Sequence, residues 1–112
     1  MINVDLISSG RARRYDDFKK QISPLMKPVF DSLRGYCLSL GKNVVEDIRM
    51  HRVVFCKSIT FRFFVDMEPQ RDSILIKIRR DRKEPQKEFE VKADQNLDQI
   101  KNLFLEAYNT IH

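Results

Sequence analysis

Between His51 and Ala93 the chain alternates apolar and polar residues with a period of two, and that rhythm restricts its fold more than any other feature. In VVFCKSITFRFFVDM, residues 53–67, Val53, Phe55, Ile59, Phe61, Phe63, Val65 and Met67 are apolar, while Cys56, Ser58, Thr60, Arg62 and Asp66 mostly are not. Successive side chains of a strand point to opposite faces, so this spacing predicts strands with one face on a core. The pattern recurs with Ile74, Ile76 and Ile78 against Ser73, Lys77 and Arg79, and again with Phe89, Val91 and Ala93 against Glu88, Glu90 and Lys92. Phe64 is out of phase, and with Val54 and Leu75 it is expected on the outer face as an apolar residue among polar ones.

Turn chemistry divides the run. Glu68 to Asp72 contains Pro69, whose fixed φ suits a turn, and Asp81 to Gln86 contains Pro85. Lys57-Ser58 is a candidate hairpin turn without the Asn or Gly such turns favour, and a single long bent strand is the competing reading. Residues 44–50, VVEDIRM, alternate weakly and read either as a short edge strand or as a lead-in.

Helical spacing flanks the strands. Tyr15, Phe18 and Ile22 recur at intervals of three and four, which predicts a short amphipathic helix from Ala12 to about Ile22. Ser23-Pro24 resembles a cap followed by a first-turn proline, so a second helix is expected to start there. Its stripe is Leu25, Val29, Phe30, Leu33, Tyr36, Cys37 and Leu40, with Pro28 near its first turns and Gly41 as the left-handed residue that ends it. A last helix begins at Asn96, with Gln99 placed as in a capping box, and presents Leu97, Ile100, Phe104, Ala107, Tyr108 and Ile111. The order predicts an α+β fold: an antiparallel meander of about four strands with N-terminal and C-terminal helices packed on one face. Residues 1–23 are read as an N-terminal lead-in with a short amphipathic helix, and 24–112 as a single α+β domain. Phe61, Phe63, Ile76, Leu33 and Phe104 are expected to be buried together.

The run FDSLRGYCLSLGKNVVEDIRMHRVVFCKSITFRFFVDMEPQRDSILIKIRR resembles the family known as domain of unknown function 5655, also labelled a predicted transport protein. The resemblance spans about residues 25–111. It rests on Leu40-Gly41 closing a helix, a basic turn at Lys57, the Pro69-Gln70 turn before an alternating strand, and Ala107-Tyr108 in the final helix. The chain departs from that pattern in lacking the glycine that often accompanies the basic turn. The resemblance implies a fold and no catalytic residues. It also implies an association with DNA defence or repair systems, because members occur alone or appended to nuclease-like domains. The transport label has no support in the sequence, since no segment approaches the roughly 18 apolar residues of a membrane span.

Charge supplies the remaining signal. At 112 residues with net charge +5, the chain is long enough for one core and is basic. Arg11, Arg13 and Arg14 cluster near the start, where Asp16 and Asp17 follow at once, and Arg79, Arg80, Arg82 and Lys83 surround a predicted turn. Such clusters can neutralise phosphates, and they also serve as solvated, edge-protecting charge. These seven residues are the candidate nucleic-acid contacts. Cys37 and Cys56 are too few for a disulfide framework; Cys37 lies on a helix stripe, while Cys56 lies on a polar strand face where exposure is expected. His51 has no second histidine at ligand spacing, and Asp66, Glu68 and Asp72 read as an exposed charged turn rather than a cation site. No serine elbow or phosphate loop is present, and no catalytic, cofactor or metal residue is assigned. The first residues place charge after a short apolar run, the reverse of a secretory signal, so a cytoplasmic location is expected. The reading is a non-catalytic accessory or interaction module that engages nucleic acid or a protein that processes it, with no membrane partner. The alternative is a small-ligand or metal-handling protein that uses the open sheet face, and a homodimer through that face is a further expectation.

Overall fold

The computed structural model describes residues 13–57, 62–80 and 83–111. A short helix α1 (Tyr15–Phe18) runs into one 3-10 turn (Lys19–Gln21), followed by α2 (Lys27–Ser39). Five strands come next: β1 (Val44–Ile48), β2 (Val53–Lys57), β3 (Arg62–Pro69), β4 (Ser73–Ile78) and β5 (Lys87–Lys92). Helix α3 (Asp98–Thr110) completes the chain's described elements. The strands form one antiparallel meander in the order β1-β2-β3-β4-β5, so the α+β architecture stands with one strand more than expected. The fifth strand is the ambiguous segment after residue 43, whose weak alternation reflects an edge position with little burial.

The helices cover one face. Val53, Phe55, Val65, Met67, Ile74, Ile76 and Val91 are fully buried there, against Phe30, Leu33 and Cys37 of α2 and Phe104 and Ala107 of α3. Tyr15, Phe18 and Ile22 belong to the same cluster. Among the described residues, the segment that holds Tyr15, Phe18 and Ile22 is therefore part of the same core.

The strand phase changes once. Phe55 pairs with Val65, but the next pair is Cys56 with Phe63, which leaves Phe64 as an extra residue. This β-bulge puts two successive side chains on nearly the same side and bends the strand. Phe64 consequently joins Val65 in the core, fully buried, and packs edge-on against Tyr108 with ring centroids 5.4 Å apart. Phe63 is turned outward and lies half-buried beside Cys56 on the open face. The expected positions of the two phenylalanines are thus exchanged, because strict alternation has no way to register an inserted residue. Ile76, Leu33 and Phe104 are buried as expected, and Phe61 lies outside the described residues.

Local chemistry differs at several points. Ser23 does not cap α2: its hydroxyl donates to the Arg71 carbonyl at 2.9 Å, and a turn carries the chain to Lys27, where Pro28 occupies the first helical turn. Leu25 falls in that turn and is exposed, and Met26 takes the buried place. Lys57 ends β2 and Arg62 begins its antiparallel partner, so two strands replace the single bent one; the Ser58 side of the proposed tight turn lies outside the described residues. The N-cap position of α3 is Leu97, without a side-chain cap bond; the expected cap Asn96 precedes it, its side-chain oxygen accepting from the Asp98 N–H at 2.8 Å in a turn that leads into the helix.

Gly41 adopts no left-handed conformation; it is needed for space. A Cβ there would stand 2.1 Å from the Tyr108 hydroxyl and 2.9 Å from Asn43 Oδ1, two groups that hydrogen-bond each other. Tyr108 cannot swing aside freely, because its ring packs on Phe64. Gly41→Ala is expected to destabilise the protein by about 1–3 kcal/mol, the usual cost of overpacking. Chemical denaturation of the variant checks this, and a loss within error of zero would show that the Tyr108 hydroxyl yields.

Candidate phosphate-binding surfaces

Antiparallel pairing decides which charges meet. Lys57 at the end of β2 lies directly opposite Arg62 at the start of β3. Like charges so placed repel and concentrate positive potential. Arg79 follows the end of β4 and is fixed to the same end of the sheet by its N–H, which donates to the Phe64 carbonyl at 3.1 Å. Its guanidinium lies over the Phe63 ring, 5.8 Å from the centroid. Exposed Lys83 and Lys87 continue the cationic surface along the β4–β5 connection. Lys57 also anchors the C-terminal segment, donating to the Ile111 carbonyl at 3.1 Å and sitting 4.4 Å from the Tyr108 ring centroid.

Arg80 is the next residue along the chain. Its guanidinium is clamped between Glu84, at 3.1 Å, and Glu106 of α3, and these carboxylates raise its pKa further. Its charge is spent within the protein. Arg82 lies outside the described residues.

The N-terminal arginines form a second, separate surface. Arg11 lies outside the described residues; Arg13 and Arg14 are exposed and make no ion pair among the described residues. With Asp17, Phe18, Gln21, Arg49 and Met50 they line a groove of about 470 Å³. Arg49, in the β1–β2 turn, is held by Asp47 at 3.0 Å. That turn lies at the end of the sheet where β1 finishes, whereas Arg79 lies where β4 finishes. In a meander these are opposite ends, and β1 and β4 are separated by two strands. Among the described residues the two basic clusters do not merge.

Beneath the second surface a polar chain joins three elements. The Tyr15 hydroxyl donates to Asp31 at 2.6 Å, and the Arg34 guanidinium stacks 3.8 Å from the Tyr15 ring centroid while donating twice to Glu46, at 2.5 and 2.9 Å. Burial, then the bond to Asp31, pushes the Tyr15 pKa upward. A raised value keeps its stabilisation below the ordinary tyrosine pKa of 10.0 and loses it as pH rises above that. Stability is therefore expected to fall above pH 10.0 with a slope that Tyr15→Phe reduces. Urea midpoints measured from pH 9 upward test this; an unchanged slope in the variant would assign the alkaline loss to other groups.

The open face carries charge. Arg52 bridges Asp66 at 3.3 Å and Glu68 at 2.9 Å, while Asp66 Oδ1 is buried with no hydrogen-bond partner among the described residues. Ser73 donates to Glu90 at 2.8 Å. Among the described residues no three His, Cys, Asp or Glu side chains converge as metal ligands. The apolar patch expected there is mostly lost: Phe64 is in the core, Val54 is buried between Asp47 and Asp66 in register, and Leu75 is half-buried. Cys56, expected to be exposed, is buried. Burial raises the pKa of both thiols, the opposite of what a reactive cysteine needs.

The sequence pattern singled out Arg79 and Lys83 but not the Lys57–Arg62 pair or the outward Phe63, which depend on strand register. Comparison with protein-family models, curated proteins and solved structures returned no match. Among the described residues no helix is long and apolar enough to cross a membrane.

Proposed function

We propose that the chain is a cytoplasmic, non-catalytic accessory module that engages nucleic-acid phosphates through the basic end of its sheet. The observation that carries this reading is that Lys57, Arg62 and Arg79, on or just after three consecutive strands, all fall at one end of the sheet, followed along the β4–β5 connection by Lys83 and Lys87. Cations placed at strand spacing suit a polyanion better than a single small anion. Neutralising phosphates releases condensed counterions, which makes such binding steeply salt-dependent. Arg80 of the same stretch is engaged by Glu84 and Glu106.

Charge reversal separates a local surface from mere basicity. Arg79→Glu with Lys83→Glu should weaken DNA binding at least tenfold at about 50 mM salt and reduce the log–log salt slope by about two. Arg71→Glu with Lys92→Glu makes the same change in net charge at the other end of the sheet and should leave most of the affinity. Equal losses from the two pairs would mean attraction without a site. Absence of binding by the unmodified protein at that salt would end the nucleic-acid reading.

A further inference from the structure

The bulge at Phe64 has a second effect besides filling the core. It turns Phe63, an aromatic residue that alternation would bury, onto the open face beside Arg79. Phe63 is half-buried there and does not belong to the hydrophobic cluster under the helices. Its register neighbour across the strand is Cys56, a small side chain. Bulges often re-aim a side chain at functional sites.

We propose that Phe63 is a stacking platform for a base of single-stranded nucleic acid, with Arg79 holding an adjoining phosphate or capping the stacked base. The proposal rests on the phosphate-binding reading of the basic end and narrows its substrate class. A sheet face that offers an aromatic ring next to a cation is an arrangement by which single strands are held without sequence preference. The ring supplies the π-face that every base can use, and the cations follow the backbone. Duplex bases are already stacked on each other and cannot reach Phe63, so the platform selects unpaired strands. Arg79 can serve both parts, since a guanidinium stacks as well as pairing with phosphate.

The test compares a fluorescent oligothymidylate with an abasic oligonucleotide of the same length and charge, at about 50 mM salt, where the phosphate term is common to both. The unmodified protein should bind the base-bearing strand about tenfold more tightly, the scale of one stacked base. Phe63→Leu should erase that preference while leaving the salt slope unchanged, and Phe63→Tyr should keep it. A thermal melt of each variant verifies that the fold is retained. Equal affinity of the unmodified protein for the two strands, or a preference that survives in Phe63→Leu, would overturn the stacking proposal while the phosphate reading stands. Failure to bind either strand would remove both.

Discussion

Replacing Phe64 with alanine is expected to cost about 3–5 kcal/mol in unfolding free energy, the range for emptying a large buried aromatic site. The same change at Phe63 should cost only about 1 kcal/mol, as for a partly exposed side chain. The contrast follows from one inserted residue. Phe64 is fully buried, and its ring meets Tyr108 edge-on at 5.4 Å, a geometry that adds to simple burial. Tyr108 in turn bonds Asn43 and covers Gly41, so a cavity at Phe64 would loosen the junction of α3 with the chain leaving α2. Phe63 has no such neighbours in the core. Urea denaturation of the two variants decides the matter. Equal losses, or a larger one at Phe63, would place the bulge elsewhere and restore the simple alternation.

The same pair marks what the sequence could and could not show. Ile74, Ile76 and Ile78 alternate without interruption and are all buried, because β4 is a regular central strand covered on one face. Val29, Phe30, Leu33 and Cys37 follow helical spacing and are buried for the same reason. Consecutive apolar residues at Phe63, Phe64 and Val65 admit two phases, and only pairing with β2 selects between them. Gly41 was visible as a helix terminator, but its reason, the approach of Tyr108 from residues far along the chain, was not. Candidate sites follow the same division. A run of arginines is legible as charge; that Glu106 of α3 captures Arg80 while Arg79 stays with the sheet depends on how the last helix docks. The opposite placement of the two basic clusters is likewise a consequence of strand order and has no counterpart in local sequence.

The second large effect is expected at Arg34. Its guanidinium makes a two-bond contact with Glu46 of β1 and lies against Tyr15, so one side chain joins α2 to the edge strand and to the N-terminal helix. The hydrogen bonds to Glu46 come first among the causes that raise its pKa. Removing one member of a buried pair costs about 3–5 kcal/mol, because the other is left charged without a partner. Here the side chains are 28% and 15% exposed, so water relieves part of that penalty. Arg34→Ala should therefore lose about 2–3 kcal/mol, including the stacking on Tyr15. Arg34→Lys should recover little of it, since one ammonium cannot reproduce the planar fork or lie flat on the ring. The decisive measurement is the double variant Arg34→Leu with Glu46→Leu. If the cost of the single changes comes from stranding a charge, removing both charges should destabilise by clearly less than the sum of Arg34→Leu and Glu46→Leu alone. Strict additivity would mean that the two residues do not depend on each other, and that β1 is held to the helices by Val44 and Ile48 packing alone.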